Sequence, residues 1–191
     1  SDRLLSTDEA LMAYEILDLY NGGPLFFYYS VTTYFGIFNG LTAFPFFEIL
    51  GAGALAFKLP ATLFYALYIL SSYWLVKKIQ PQAAITVILL MIFTSPAVWA
   101  LTSLNYGIGL ICFLGNLIFL SFFKVKETRW SKAFYVFLLG FLSGFAIYSF
   151  TYSIVYIGSI IILFLLSSNY WEELRNKISI KAVPAWFSRK K

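Results

Sequence analysis

The chain contains no histidine, a single cysteine (Cys112), and charged residues at only 12% of its 191 positions. Each shortage excludes something. Without imidazole, ordinary haem ligation and the common zinc sites cannot be built within this chain, and neither haem nor zinc is expected. A lone thiol closes no internal disulfide, and Cys112 stands in an apolar run where a thiol is inert. A soluble domain carries about a quarter charged residues, so this chain is too poor in charge to stay in water as a domain. There is no initiating methionine and no basic stretch ahead of a short apolar run. The sequence reads as a piece cut from something longer.

What is present is apolar. Hydrophobic residues make up 60% of the chain and aromatic ones 21%, with a mean hydropathy of +0.78. Such a composition belongs to an integral membrane protein. Five segments approach the roughly 20 apolar residues that a span needs: Leu55–Val76, Ala83–Leu101, Tyr106–Phe123, Ala133–Ser149 and Thr151–Leu166. The expected fold is therefore all-α, a polytopic transmembrane helix bundle over residues 55–168 with about five spans. An outward segment with amphipathic and interfacial helices, residues 1–54, precedes it, and a basic tail, residues 169–191, follows.

The cations order these spans. Lys77 and Lys78 follow the first; Lys124, Lys126, Arg129 and Lys132 lie between the third and fourth; Arg175, Lys177, Lys181, Arg189, Lys190 and Lys191 follow the fifth. Short loops rich in Lys and Arg stay cytoplasmic. Five spans that begin outside place all of these within the cell, near anionic lipid rather than nucleic acid. The opposite face then holds residues 1–54, with six acids and one cation, Arg3. A sixth apolar stretch, Leu25–Phe47, would break this parity if it crossed. Its Gly36, Asn39, Gly40 and Pro45 also make it a poor span. The reading preferred is an aromatic-rich helix lying in the outer interface, against a true span or a re-entrant hairpin.

Four carboxylates, Asp8, Glu9, Glu15 and Asp18, gather in "STDEALMAYEILDLYNGGP", residues 6–24. Ser6 and Glu9 have the spacing of a capping box, and "NGGP" stops a helix over 7–20 with Gly past its end and Pro beyond. On this reading the acids are a cap and a solvated face. The same geometry also carries chemistry: at 100° per residue Asp8, Glu15 and Asp18 share a face while Glu9 points elsewhere. A carboxylate cluster there could act as a general base or cradle a divalent cation.

A family pattern runs through the same residues. Asp8-Glu9 is followed by Pro24-Leu25, an aromatic segment closing in Phe35-Gly36, and Lys58-Leu59-Pro60-Ala61 opening a span that ends in Lys77-Lys78. "TSPAVWALTSLNYGIGLICFLGNLIFL" (94–120) and "LLGFLSGFAIYSFTYSIVYIG" (138–158) continue it. The chain resembles the N-terminal part of polytopic GT-C-type glycosyltransferases, the group of protein O-mannosyltransferases and the lipid A aminoarabinose transferase. The resemblance implies a sugar carried on a polyprenyl phosphate, its tail in a groove between spans, and transfer to an acceptor hydroxyl at the outer face with inversion. Asp8 would then be the catalytic base. Lys58 or Arg3 would face the lipid phosphate, or a divalent cation, magnesium or manganese, would do so on Glu9 and Glu15. Glu9, Tyr28 and Tyr29 would contact substrate.

Bland readings stand beside these. Lys58 can snorkel from a helix end to the headgroups. The aromatics at 26–29 and 34–35 can anchor the interface, and Gly140-x-x-x-Gly144 reads as internal helix packing. The alternative to an enzyme is a non-catalytic membrane subunit packed against other subunits of a larger complex. A transporter piece fits least, because the spans carry essentially no ionisable group at mid-membrane. No phosphate-binding Walker loop, Rossmann glycine pattern or repeat is present.

Overall fold

The computed structural model describes residues 7–30, 32–94, 107–127 and 131–167. The first helix, α1 (Thr7–Tyr20), covers the residues expected. It ends on a Schellman motif: the Gly23 amide donates to the Asp18 carbonyl at 2.9 Å and the Gly22 amide to that of Leu19 at 3.1 Å. Gly22 sits at φ +94°, a left-handed backbone that a side chain would resist. Ser6, the expected cap, lies outside the described residues.

Leu25–Phe47 is not one interfacial helix. It folds as an antiparallel hairpin, β1 (Tyr28–Tyr29) with β2 (Thr32–Gly36), followed by two short helices, α2 (Phe38–Leu41) and α3 (Phe44–Leu50). The physical reason lies in the residues. Apart from Ser30, "YYSVTTYF" is aromatic or β-branched, and such side chains lose rotamer freedom in a helix but suit a pleated surface. Pro45 then falls in the first turn of α3, where its missing amide costs little.

The bundle begins at Gly53. Its longest helix, α4 (Ala54–Ile79), is followed by a 3-10 turn (Pro81–Ala83) and a short apolar helix, α5 (Ala84–Ile92). Next come α6 (Ile108–Glu127), α7 (Lys132–Ser149), a turn at Thr151–Ser153, and α8 (Ile154–Ser167). Among the described residues three helices are long and apolar enough to cross a membrane, Ala54–Ile79, Ile108–Val125 and Lys132–Ser149. The other two expected spans appear as shorter apolar helices, and much of the second, residues 95–101, lies outside the described residues. α4 packs against α5 and α6, and α6 against α7.

Two cores result. One, formed by Met12, Ile16, Tyr29, Ile37, Phe47 and Phe57, joins α1, the hairpin and the short helices to the start of α4. The second, with Phe64, Leu114, Ile118, Leu142 and Ala146, lies within the bundle. The hairpin also contacts the end of α7: Phe35 pairs with Phe150 as an isolated bridge, and their rings stack at 4.6 Å. Gly140 and Gly144 do not mediate packing among the described residues. Both are exposed on α7, and no described atom lies within 4 Å of where a Cβ would stand.

Candidate functional site

The site is organised by α1. Its inward stripe is Glu9, Met12 and Ile16, at spacings of three and four residues that place one helix face against the core. Glu9 is thus a carboxylate in a position that calls for an apolar side chain, and its exposure is 0%. A buried carboxylate is tolerable only with a compensating charge or hydrogen bonds. Lys58 supplies the charge: its Nζ lies 3.5 Å from Glu9 Oε2, and its side chain remains 25% exposed. Lys58 sits in the second turn of α4. The pair therefore bolts α1 onto the end of the longest helix.

Asp8, one residue earlier, is rotated about 100° from Glu9 and is exposed. Two adjacent carboxylates thus have opposite environments, one held in the core against a lysine and one open to solvent. Arg3 lies outside the described residues.

The remaining candidates are dispersed. Glu15, half-buried, accepts the Ser30 amide at 3.1 Å on Oε2 and the Ser30 hydroxyl on Oε1, which ties the hairpin to α1. Asp18 is exposed on the last turn. Glu9 and Glu15, paired in the sequence reading as ligands of a divalent cation, are committed to different partners. Among the described residues no three metal-ligating side chains of His, Cys, Asp or Glu come together.

Tyr28 is exposed on the hairpin, with its ring edge-on to Tyr148 at 5.5 Å. Tyr29, expected at the substrate, is instead a core residue with 1% exposure. Burial pushes its phenol pKa far above the usual tyrosine range. Glu9, also expected at the substrate, is likewise fully buried and faces Lys58. Tyr20 closes the other end of α1. It donates to Glu48 at 2.8 Å and packs edge-on against Phe44 and Phe47, and the Glu48 hydrogen bond raises its pKa.

Sequence reasoning missed Ser30 and Tyr148. Tyr148 donates to the Phe27 carbonyl at 3.1 Å across the molecule. The β-branched run at 31–33 was the available signal for the first, since it marks a hairpin and hence a chain that turns back on α1. Nothing local to Tyr148 signals its partner.

The site and the bundle meet at one end of α4. From Lys58 to Lys78 that helix rises about 30 Å, the thickness of a bilayer's hydrocarbon core. At its far end Lys78 pairs with Glu127 of α6. The Glu9–Lys58 pair and the Lys78–Glu127 pair therefore stand near opposite ends of α4. Residues 40–185 match the dolichyl-phosphate-mannose-protein mannosyltransferase family. The match takes in Lys58 and the bundle and begins after α1, so Asp8 and Glu9 precede it. Neither a curated protein nor a solved structure matches the chain. With the match covering more than half of the chain, and with helices able to span a bilayer, the protein is an integral membrane protein that belongs to the dolichyl-phosphate-mannose-protein mannosyltransferase family of membrane glycosyltransferases.

Proposed function

We propose that the protein is a membrane glycosyltransferase, or the N-terminal part of one, that takes a sugar from a polyprenyl-phosphate donor. Transfer goes to an acceptor hydroxyl at the outer membrane face, with the basic connections in the cytoplasm. The observation that carries this reading is the division between Asp8 and Glu9 at the acidic end of a bundle whose family is a glycosyltransferase family.

Asp8 takes the proton of the acceptor hydroxyl as its oxygen attacks the anomeric carbon. The bond from that carbon to the lipid phosphate breaks, and the phosphate leaves with the electron pair. Inversion requires the base on the face opposite the leaving group. Lys58, a quarter exposed, is the cation for the departing phosphate, with Arg3 as a second. A lysine offers a point charge without the two-pronged grip of arginine, so Glu9 fixes where that charge stands. Glu9 acts through Lys58 as a positioning residue. The scheme is drawn with lysine and arginine as its cations, since Glu9 is engaged by Lys58 and Glu15 by Ser30.

The test is transfer by the intact enzyme in membranes, with Asp8→Asn beside the wild type. Loss of at least about a hundredfold in turnover, with unchanged insertion and unfolding temperature, supports the base assignment. Full activity in Asp8→Asn refutes it. Absence of any bound sugar lipid from the wild type favours the alternative, a non-catalytic subunit among other membrane subunits.

A further inference from the structure

A groove of about 250 Å³ runs between α1 and the hairpin. Its walls combine two kinds of side chain: the carboxylates of Glu15 and Asp18, and the rings of Tyr14, Phe26 and Tyr28, with Ser30 at its edge. Two of these rings are braced from behind. Phe26 lies 6.1 Å from the Tyr29 ring, and Tyr28 is edge-on to Tyr148 at 5.5 Å. Glu15 is fixed by the amide and hydroxyl of Ser30. Asp18 has no ion-pair partner among the described residues, and the one described cation at this end of the bundle, Lys58, is engaged by Glu9.

Carboxylates beside aromatic faces are the chemistry of an ammonium group. The rings attract the cation through their quadrupoles, and the carboxylates accept its N–H donors. A primary ammonium gives the carboxylates three N–H donors as well as its charge; a quaternary one has the charge but no N–H to donate.

The rim of the groove says where the ammonium comes from. Leu25 and Phe27, next to its lining residues, are each 67% exposed. Large apolar side chains left in the open beside the bundle's end belong in the headgroup layer. We propose that this groove binds the ammonium of an ethanolamine-type lipid headgroup, which seats α1 and the hairpin on the bilayer. The proposal uses neither Asp8 nor Lys58, and of the residues expected at the sugar substrate only Tyr28 lines the groove.

The experiment uses the full chain in detergent, stripped of lipid and offered equimolar phosphatidylethanolamine and phosphatidylglycerol, with retained lipid counted by native mass spectrometry. The wild type should keep the ethanolamine lipid in about fivefold excess or more. Asp18→Asn and Tyr28→Leu should each bring the ratio near parity. Glu48→Gln, which removes a carboxylate at the same end but outside the groove, should leave the excess intact. Parity in the wild type overturns the proposal. So does an excess that survives Asp18→Asn, or one lost equally in Glu48→Gln, which would reduce the effect to general surface charge. An excess abolished by a soluble lysine peptide would assign the groove to a protein segment and overturn the lipid reading.

Discussion

The outer core and the bundle core use similar side chains under different physics. Around Ile16 and Phe57 the chain folds by taking apolar surface out of water, and a misplaced charge there must be answered. Around Ile118 and Leu142 lipid is as apolar as the side chains, so close packing and hydrogen bonds decide. The polar groups differ accordingly. The outer core holds an ion pair, Glu9 with Lys58. The bundle holds a neutral cluster: the Asn116 amide nitrogen lies 2.7 Å from the Ser72 hydroxyl, 3.0 Å from that of Ser71 and 3.4 Å from the Tyr68 carbonyl.

Breaking the ion pair gives the largest expected effect. Lys58→Met leaves Glu9 buried without its cation and should cost about 3–5 kcal/mol, read as thermal unfolding in detergent. Glu9→Gln should cost clearly less, because the partly exposed Lys58 can turn to water. Equal losses would contradict the assigned burial. Next comes a pair of glycines. In Gly40→Ala the new Cβ would land on the Tyr29 hydroxyl and the Ile16 side chain, at about 1–3 kcal/mol. Gly140→Ala, with open space around it, should stay within about 0.5 kcal/mol. A costly Gly140→Ala would mean that α7 packs through its small-residue face after all.

Within the bundle, Asn116→Leu should cost about 0.6 kcal/mol and no more than about 1.7. A loss as large as that of Lys58→Met would erase the contrast between the two cores. The smallest effect is at the far end of α4. The Lys78 ammonium beside Glu127 holds that carboxyl below the usual glutamate range, with Lys124 adding to it. A depressed folded-state pKa stabilises above the unfolded value, and the contribution fades as pH falls through the folded one. Carboxyl titration by NMR should therefore find Glu127 low, and Lys78→Met should return it toward the glutamate value.

Elements whose signal is local were legible in the sequence. The helix at 7–20 announces its end through Asn21-Gly22-Gly23-Pro24, and the three long spans announce themselves by unbroken apolar length. The hairpin is not legible because its aromatic residues suit a membrane interface and a strand equally well. The spacing from Ser6 marks Glu9 as a capping-box acid, and helical periodicity separates it from Asp8 without saying which face meets the core. Its partner lies 49 positions away in sequence, and no local pattern links them. Gly140 and Gly144 show the converse: a spacing known from helix contacts stands here on an open face.

Sidedness tests the whole account most directly. With the native thiol removed by Cys112→Ser, a single cysteine placed at Thr7, beside Asp8, and in a second variant at Lys124 can be probed in intact cells with a membrane-impermeant maleimide. The account predicts that Thr7→Cys reacts at once and that Lys124→Cys reacts only after the membrane is opened. Labelling of both from the same side would remove the base from the donor's face, and with it the case for transfer at this site.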